Sequence, residues 1–492
     1  MLLAASTQRT IGFVILAIVF IGGLVYLFFN IRAAKAEVGS EIELAPNRSP
    51  ALLDEDLEGR RLDIALLANL VMLTIIALAL PFYWLGEPGR QEGRNIDTAR
   101  IFTNRGEELY VEGAQCVNCH GAAGAGGAVT TAITDDTGGF VAQVVWKAPA
   151  LNTVLSRFSE DEILHTLNFG RNGVMPAWGA GGGGPLTNQQ LEEVLFYLRS
   201  IQIDAATIAS EVESGVIERV EDMLVAESDA DYAVAIREAE AVQLDATLPV
   251  EELDLDCSDP SDAENSLCVD LAAANDALLA ARDAGREQLG ADAAEWIADA
   301  QAVAETARMI AIDDDPSLAD AERADDLRWA ALELLATPGA VANQETYLRY
   351  GEFLFTNPAA EGTYSCARCH TYGFSFGGAE RFTIRANGTT ESILPDGYNQ
   401  GGGFFGPNLT GGSTLDQFGT ARSHALFIET GQTIGQPYGR GGSGGNGQMP
   451  GFGARTESDT VGPGIANDLE TDYPALLNSD QIDAIVAFER NL

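Results

Sequence analysis

Five residues, written twice, constrain this chain more than anything else in it. Cys116-Val117-Asn118-Cys119-His120 and Cys366-Ala367-Arg368-Cys369-His370 both read Cys-x-x-Cys-His. Two thiols three residues apart on a turn of helix can each form a thioether to one porphyrin edge. The adjacent imidazole then lands under the iron. A bare Cys-x-x-Cys is ambiguous between zinc, a redox disulfide and haem, but the trailing histidine points to c-type haem attachment.

Each motif is followed by the same two signals in the same order. After His120 come Ala148-Pro149-Ala150-Leu151 and then Met175-Pro176; after His370 come Gly406-Pro407-Asn408-Leu409 and then Met449-Pro450. This order resembles the small monohaem cytochrome c fold, twice over, across residues 96–203 and 339–492. The resemblance implies two covalently bound haem c groups, attached at Cys116 and Cys119 and at Cys366 and Cys369. It implies His120 and Met175 as axial ligands of one iron and His370 and Met449 of the other. It also implies that each proline loop offers a carbonyl to the proximal imidazole, which would fix its tautomer. A soft thioether on the opposite face favours Fe(II) and raises the potential.

Helical spacing frames each motif. The pattern predicts helices over Ile101 to Glu112 and Gln189 to Ser200 around the first, and over Gln344 to Asn357 and Ser479 to Asn491 around the second. Gly106 and Tyr110 are expected to meet Phe196 or Tyr197, as the resemblance implies. Only two histidines lie outside the motifs, His165 and His424. Both are expected to be ordinary helix residues, with His424 the alternative to Met449. The glycine-rich run from Gly431 to Gly447 is too poor in side chains to build a core and is expected to leave the Met449 loop mobile or wrapped against a partner.

Two apolar runs, Ile11 to Phe29 and Ile64 to Leu85, are each long enough to span a hydrocarbon core of about 30 Å. Arg32, Lys35, Arg48, Arg60 and Arg61 lie between them, against one Arg9 before the first. The positive-inside rule makes that loop cytoplasmic and puts everything after Leu85 outside. The expected localisation is therefore a cell membrane, multi-pass, with residues 1–95 as a two-helix anchor in contact with lipid. Haem attachment on the outer side, which the resemblance implies, agrees.

Six cysteines less four in the motifs leave Cys257 and Cys268, flanking a polar loop; in an oxidising compartment they are expected to form a disulfide. That loop sits in the acidic stretch 204–338. Between 205 and 338 there are 34 acidic residues against 7 arginines and no lysine, in a chain of net charge −43. Val212, Val216, Val220 and Leu224, then Leu271, Leu278, Leu289, Trp296, Val303 and Ile310, recur at helical spacing and predict a helical hairpin or small bundle. It reads either as a solvated spacer or as an arm for a partner subunit, with the apolar stripe favouring a permanent contact. The fold expected is thus mainly α: two transmembrane helices, two cytochrome c-type domains and an acidic helical insertion between them.

The expected function is electron carriage on the outer side of the membrane, from a quinol-oxidising bc-type complex to a terminal haem–copper oxidase. The expected partners are the cytochrome b and Rieske subunits of the former and cytochrome oxidase or a soluble redox partner beyond; no nucleic acid is expected. In role the chain resembles dihaem cytochrome c subunits of actinobacterial respiratory supercomplexes and the two-haem subunit of oxygen-reducing oxidases. The alternatives are a haem-bearing electron-acceptor subunit of a periplasmic dehydrogenase, or a dihaem peroxidase. The peroxidase is disfavoured because each domain supplies its own methionine. No stand-alone catalytic residue is expected.

Overall fold

The computed structural model describes residues 7–34, 58–134, 140–171, 175–253, 255–258, 265–370, 376, 382–384, 390–392, 406–433, 435–444, 447, 449–458 and 470–492. Helix dominates, and the chain divides into two units, Met1–Ile101 and Phe102–Leu492.

The first unit consists of α1 (Thr7–Ala34) and most of α2 (Arg60–Glu108). Within α2 the segment Leu62–Glu87 has 26 residues, a mean hydropathy of 2.4 and nothing buried against protein. At 1.5 Å per residue it exceeds the thickness of a hydrocarbon core. It is one helix long and apolar enough to cross a membrane; the described apolar run in α1, Leu16–Phe29, is shorter. Lys35 and Arg48, on which the topology expectation partly rests, lie outside the described residues.

In the second unit the end of α2 passes into a π turn, Leu109–Gly113, and then into α3 (Val117–His120), which carries the first motif. Next comes an antiparallel hairpin of β1 (Gly127–Thr134) and β2 (Phe140–Ala148), paired from Gly127↔Ala148 inward. The mainly α expectation did not include it. Its signal is in the sequence: β-branched and aromatic runs on either side of Asp135-Asp136-Thr137-Gly138-Gly139. Helices α4 (Glu160–Phe169) and α5 (Asn188–Ser200) follow, each opened by a capping box, Ser159 with Glu162 and Thr187 with Gln190. Leu155, Leu191, Val194 and Leu198 form the core between them.

The acidic stretch folds as α6 (Ala205–Glu227), α7 (Asp231–Glu252), α8 (Ser266–Asp314) and α9 (Ala324–Leu335). Cys257 and Cys268 are joined at the α7–α8 bend, with Cα atoms 5.4 Å apart. Tyr232, Ile236 and Leu289 close the hairpin, and the Tyr232 hydroxyl donates to Asp292 at 2.7 Å.

The far half of α8, with α6 and α9, packs on the second motif domain. That domain is framed by α10 (Gln344–Phe355), α11 (Ala421–Thr430) and α12 (Ser479–Arg490). Val212, Val216, Val220, Ala300, Val303 and Leu332 share one core with Tyr347, Phe353 and Ile485. Trp296 lies 5.5 Å from Phe353, ring to ring. Polar clamps reinforce this contact. Arg328 reaches Asp483 at 2.7 Å and Glu429 at 2.8 Å, and Asn357 donates to the Val212 carbonyl at 2.9 Å. The Trp296, Val303 and Ile310 part of the apolar stripe is therefore covered by the chain's own second domain, so burying it does not require a partner subunit.

Candidate haem sites

Both motifs form the same tight turn. His120 N–H donates to the Cys116 carbonyl at 2.8 Å, and His370 N–H donates to Cys366 at 2.9 Å. A 3₁₀-type bond from the second cysteine to the first closes each turn, at 3.1 Å and 3.0 Å respectively. This winding points both thiols of a motif to one side and brings the following imidazole round beneath them.

Each imidazole is then held by its proline loop. His120 Nδ1 lies 2.9 Å from the Pro149 carbonyl, and His370 Nδ1 lies 3.0 Å from the Pro407 carbonyl. A carbonyl can only accept, so the proton sits on Nδ1 and Nε2 keeps its lone pair for a metal. Both rings are buried. Burial pushes both imidazoles toward the neutral form; the Pro149 carbonyl opposes it at His120, and Glu489 and the Pro407 carbonyl oppose it at His370.

The methionines enter from loops that follow helices α4 and α11. Gly170 and Gly431 end those helices in the left-handed region, at φ 72° and 70°. A Cβ at Gly170 would stand 2.3 Å from the Met175 carbonyl, and one at Gly431 2.7 Å from that of Met449. Met175 packs on the cluster that also holds Cys116 and Leu151. Met449 packs on the one that holds Cys366 and Leu409. The structure so brings each motif, its proline loop and its methionine onto one core. Among the described residues of the glycine-rich run, Tyr438 stacks on Phe427 at 5.1 Å and Gln432 N–H donates to the Met449 carbonyl at 2.8 Å.

Both spare histidines are helix residues. His165 is exposed on α4 with its ring 4.8 Å from Phe169. His424 is buried, stacked on Phe418 at 4.7 Å, with Nε2 2.8 Å from Glu489.

The frame around each motif depends on close helix contact. A Cβ at Gly106 would meet the Glu193 carbonyl at 1.9 Å. Around it, Phe102 meets Phe196 at 5.3 Å and Tyr110 meets Tyr197 at 5.1 Å, while the Tyr110 hydroxyl donates to the Gly121 carbonyl at 2.7 Å. That last bond ties the framing helix directly to the end of the first motif. Sequence reading placed Tyr110 as a packing residue and missed this role.

Four cysteines, two imidazoles with free Nε2 and two thioethers form a donor set suited to two covalently attached haems. Among the described residues no group of three or more His, Cys, Asp or Glu converges as a cage for a bare metal ion, which a zinc reading would need. Residues 102–198 match the family model described as Cytochrome C oxidase, cbb3-type, subunit III.

This stretch is similar to a cytochrome c domain.

Such a domain carries haem c bound covalently and serves electron transfer. The matched residues run from the end of α2 to the end of α5 and include the first motif, the β1–β2 hairpin and Met175. Neither the curated proteins nor the solved structures contain a significant match to the chain.

Proposed function

We propose that the chain is a membrane-anchored dihaem cytochrome c. In this reading it relays electrons outside the membrane, from a quinol-oxidising bc-type complex to a terminal haem–copper oxidase. The observation that carries it is the repetition of one arrangement: the same Cys-x-x-Cys-His turn, with its imidazole on a proline carbonyl, at 2.9 Å in one domain and 3.0 Å in the other. Cys116 and Cys119 hold one porphyrin, with His120 and Met175 on its iron; Cys366 and Cys369 hold the other, with His370 and Met449.

The haem supplies a one-electron couple whose potential its axial ligands and surroundings set. The protein holds both imidazoles neutral and oriented through Pro149 and Pro407, and keeps them out of water. The segment Leu62–Glu87 and a second span through α1 would anchor the haem domains on the extracytoplasmic face. A methionine in each domain supports carriage over peroxide chemistry, which needs an iron that can lose its sixth ligand.

The test is to purify the protein from membranes in mild detergent, count haem per chain and identify what accompanies it. Two haems, and co-purification with quinol-oxidising or oxidase subunits, are expected. One haem per chain, or a dehydrogenase as the sole companion, would overturn the reading. A reporter active only outside the cytoplasm should work when fused after Gly86 and stay silent near Glu41.

A further inference from the structure

One aromatic ring of the second motif domain is buried in the core of the first. Tyr473 ends the strand Glu470–Tyr473, which pairs antiparallel with Arg455–Ser458 a few residues after Met449. It is 8% exposed. The core it joins is that of Leu155, Leu191 and Leu198, against which Cys116 and Met175 also pack. Every other described member of that core lies between Leu109 and Ile201. The family-matched segment, residues 102–198, therefore carries the first motif and its methionine but not the whole of the core around them. The chain supplies the missing piece from far downstream.

A few residues later the same segment has entered the other core. Leu476 and Leu477 are buried with Cys366 and Phe452, in the core against which Met449 packs. Both donate their backbone N–H to the Phe452 carbonyl, at 2.9 Å and 3.1 Å, and Phe452 N–H donates to the Ile428 carbonyl at 3.0 Å. Residues 473–477 are thus a short strap with one end in each core. The first domain returns the contact at the Met449 loop, where Gly451 N–H donates to the Arg157 carbonyl and Arg171 donates to the Gly447 carbonyl, both at 3.4 Å.

We propose that Tyr473 is a positioning residue of the first haem site, supplied by the second domain. This rests on the two-haem reading. A tyrosine ring carries a large apolar face, and the apolar shell around a metal group controls the access of water and the local dielectric. Burial is in turn one of the protein's means of setting a haem potential. Tyr473 closes the wall that Cys116 and Met175 share, so a residue of one domain keeps water from the iron of the other. The strap fixes that ring to the wall of the Met449 site, which makes the two sites one packed unit.

The test uses the full-length protein in detergent with Tyr473→Ala, Tyr473→Leu and Tyr473→Phe, read by haem count and by spectroelectrochemical titration. Met175→Ala and Met449→Ala, run alongside, identify which midpoint belongs to which haem. Shortening the side chain leaves a space in a packed core, and water entering it favours the ferric iron with its extra positive charge. Tyr473→Ala should keep both haems and lower the first midpoint, although the residue belongs to the second domain. The expected size is about tenfold in the reduced-to-oxidised ratio at fixed potential, or ~59 mV for a one-electron couple, with the second midpoint moving less than half as far. Tyr473→Phe keeps the ring and should recover at least half of the shift. With both haems present, an unmoved first midpoint, a larger shift at the second, or a phenylalanine variant that recovers nothing would overturn the proposal. Where the alanine variant fails to fold, Tyr473→Leu carries the same test: it should lower the first midpoint by a smaller amount, and no change there would overturn the role. Fewer than two haems in the unaltered protein would instead overturn the two-haem reading.

Discussion

Gly351 and Ala484 stand so close that a Cβ on the glycine would lie 2.1 Å from the alanine carbonyl oxygen. Helices α10 and α12 cross there, as α2 and α5 cross at Gly106. Gly351→Ala should therefore force the crossing apart, at a cost of about 1–3 kcal/mol. In thermal unfolding followed at the haem absorbance, the second domain should melt earlier. A melting profile equal to that of the unaltered protein would contradict the crossing as described.

Replacing either methionine should remove half of the weak near-infrared sulfur-to-iron band of the oxidised protein. Met175→Ala and Met449→Ala each test one iron. An intact band in either variant would sink the axial role of that residue.

On the proposed two-haem reading, Glu489 should lower the potential of the second haem. Its carboxylate is buried and 2.8 Å from His424 Nε2, and it acts electrostatically on His370. An oxidised iron carries one more positive charge than a reduced one, so a nearby carboxylate favours oxidation. Glu489→Gln should raise that midpoint by an energy on the order of 1 kcal/mol and leave the first haem unmoved. A downward shift would mean that the pair is net positive toward the iron.

Arg328 holds α9 to the second domain through Asp483 and Glu429. Burial pushes the Asp483 carboxyl up, and Arg328 holds it down. Arg328→Met leaves a buried carboxylate unpaired and should cost about 2–4 kcal/mol at neutral pH. A carboxyl whose folded pKa is raised binds its proton more tightly in the folded state, so acidification favours folding at that site. The loss should accordingly shrink as pH falls through the raised folded pKa of Asp483. Denaturant titrations at neutral and acidic pH check this; a loss that grows on acidification would refute it.

Breaking the Cys257–Cys268 link should loosen only the hairpin tip. A closed loop of this length, with a sequence separation of 11, constrains the unfolded chain by about 2–3 kcal/mol. Cys257→Ser with Cys268→Ser should speed amide exchange near the α7–α8 bend without changing either haem spectrum.

Much of this was readable in the chain because covalent chemistry works at short range. The motif turn, its proline and its methionine each occupy a few adjacent residues, and the framing helices carry strong apolar spacing. The β1–β2 hairpin was missed although β-branched and aromatic runs flank Asp135 to Gly139. In the acidic stretch, periodicity at Val303 and Leu289 says that a face is buried, not what covers it. Tyr347 and Phe353, many residues away, share the core of Val303, and Tyr232 and Ile236 share that of Leu289. Tyr473 and Glu489 carry no local pattern at all; their neighbours come from other elements.

Helix α8 runs 49 residues without a break, roughly 74 Å at the α-helical rise. One half is the hairpin's backbone and the other forms a wall of the second domain. With no joint between them, a push at the disulfide-bearing tip cannot be absorbed locally. It would reach the far end as a tilt, so that whatever grips the tip holds a lever on the domain of His370.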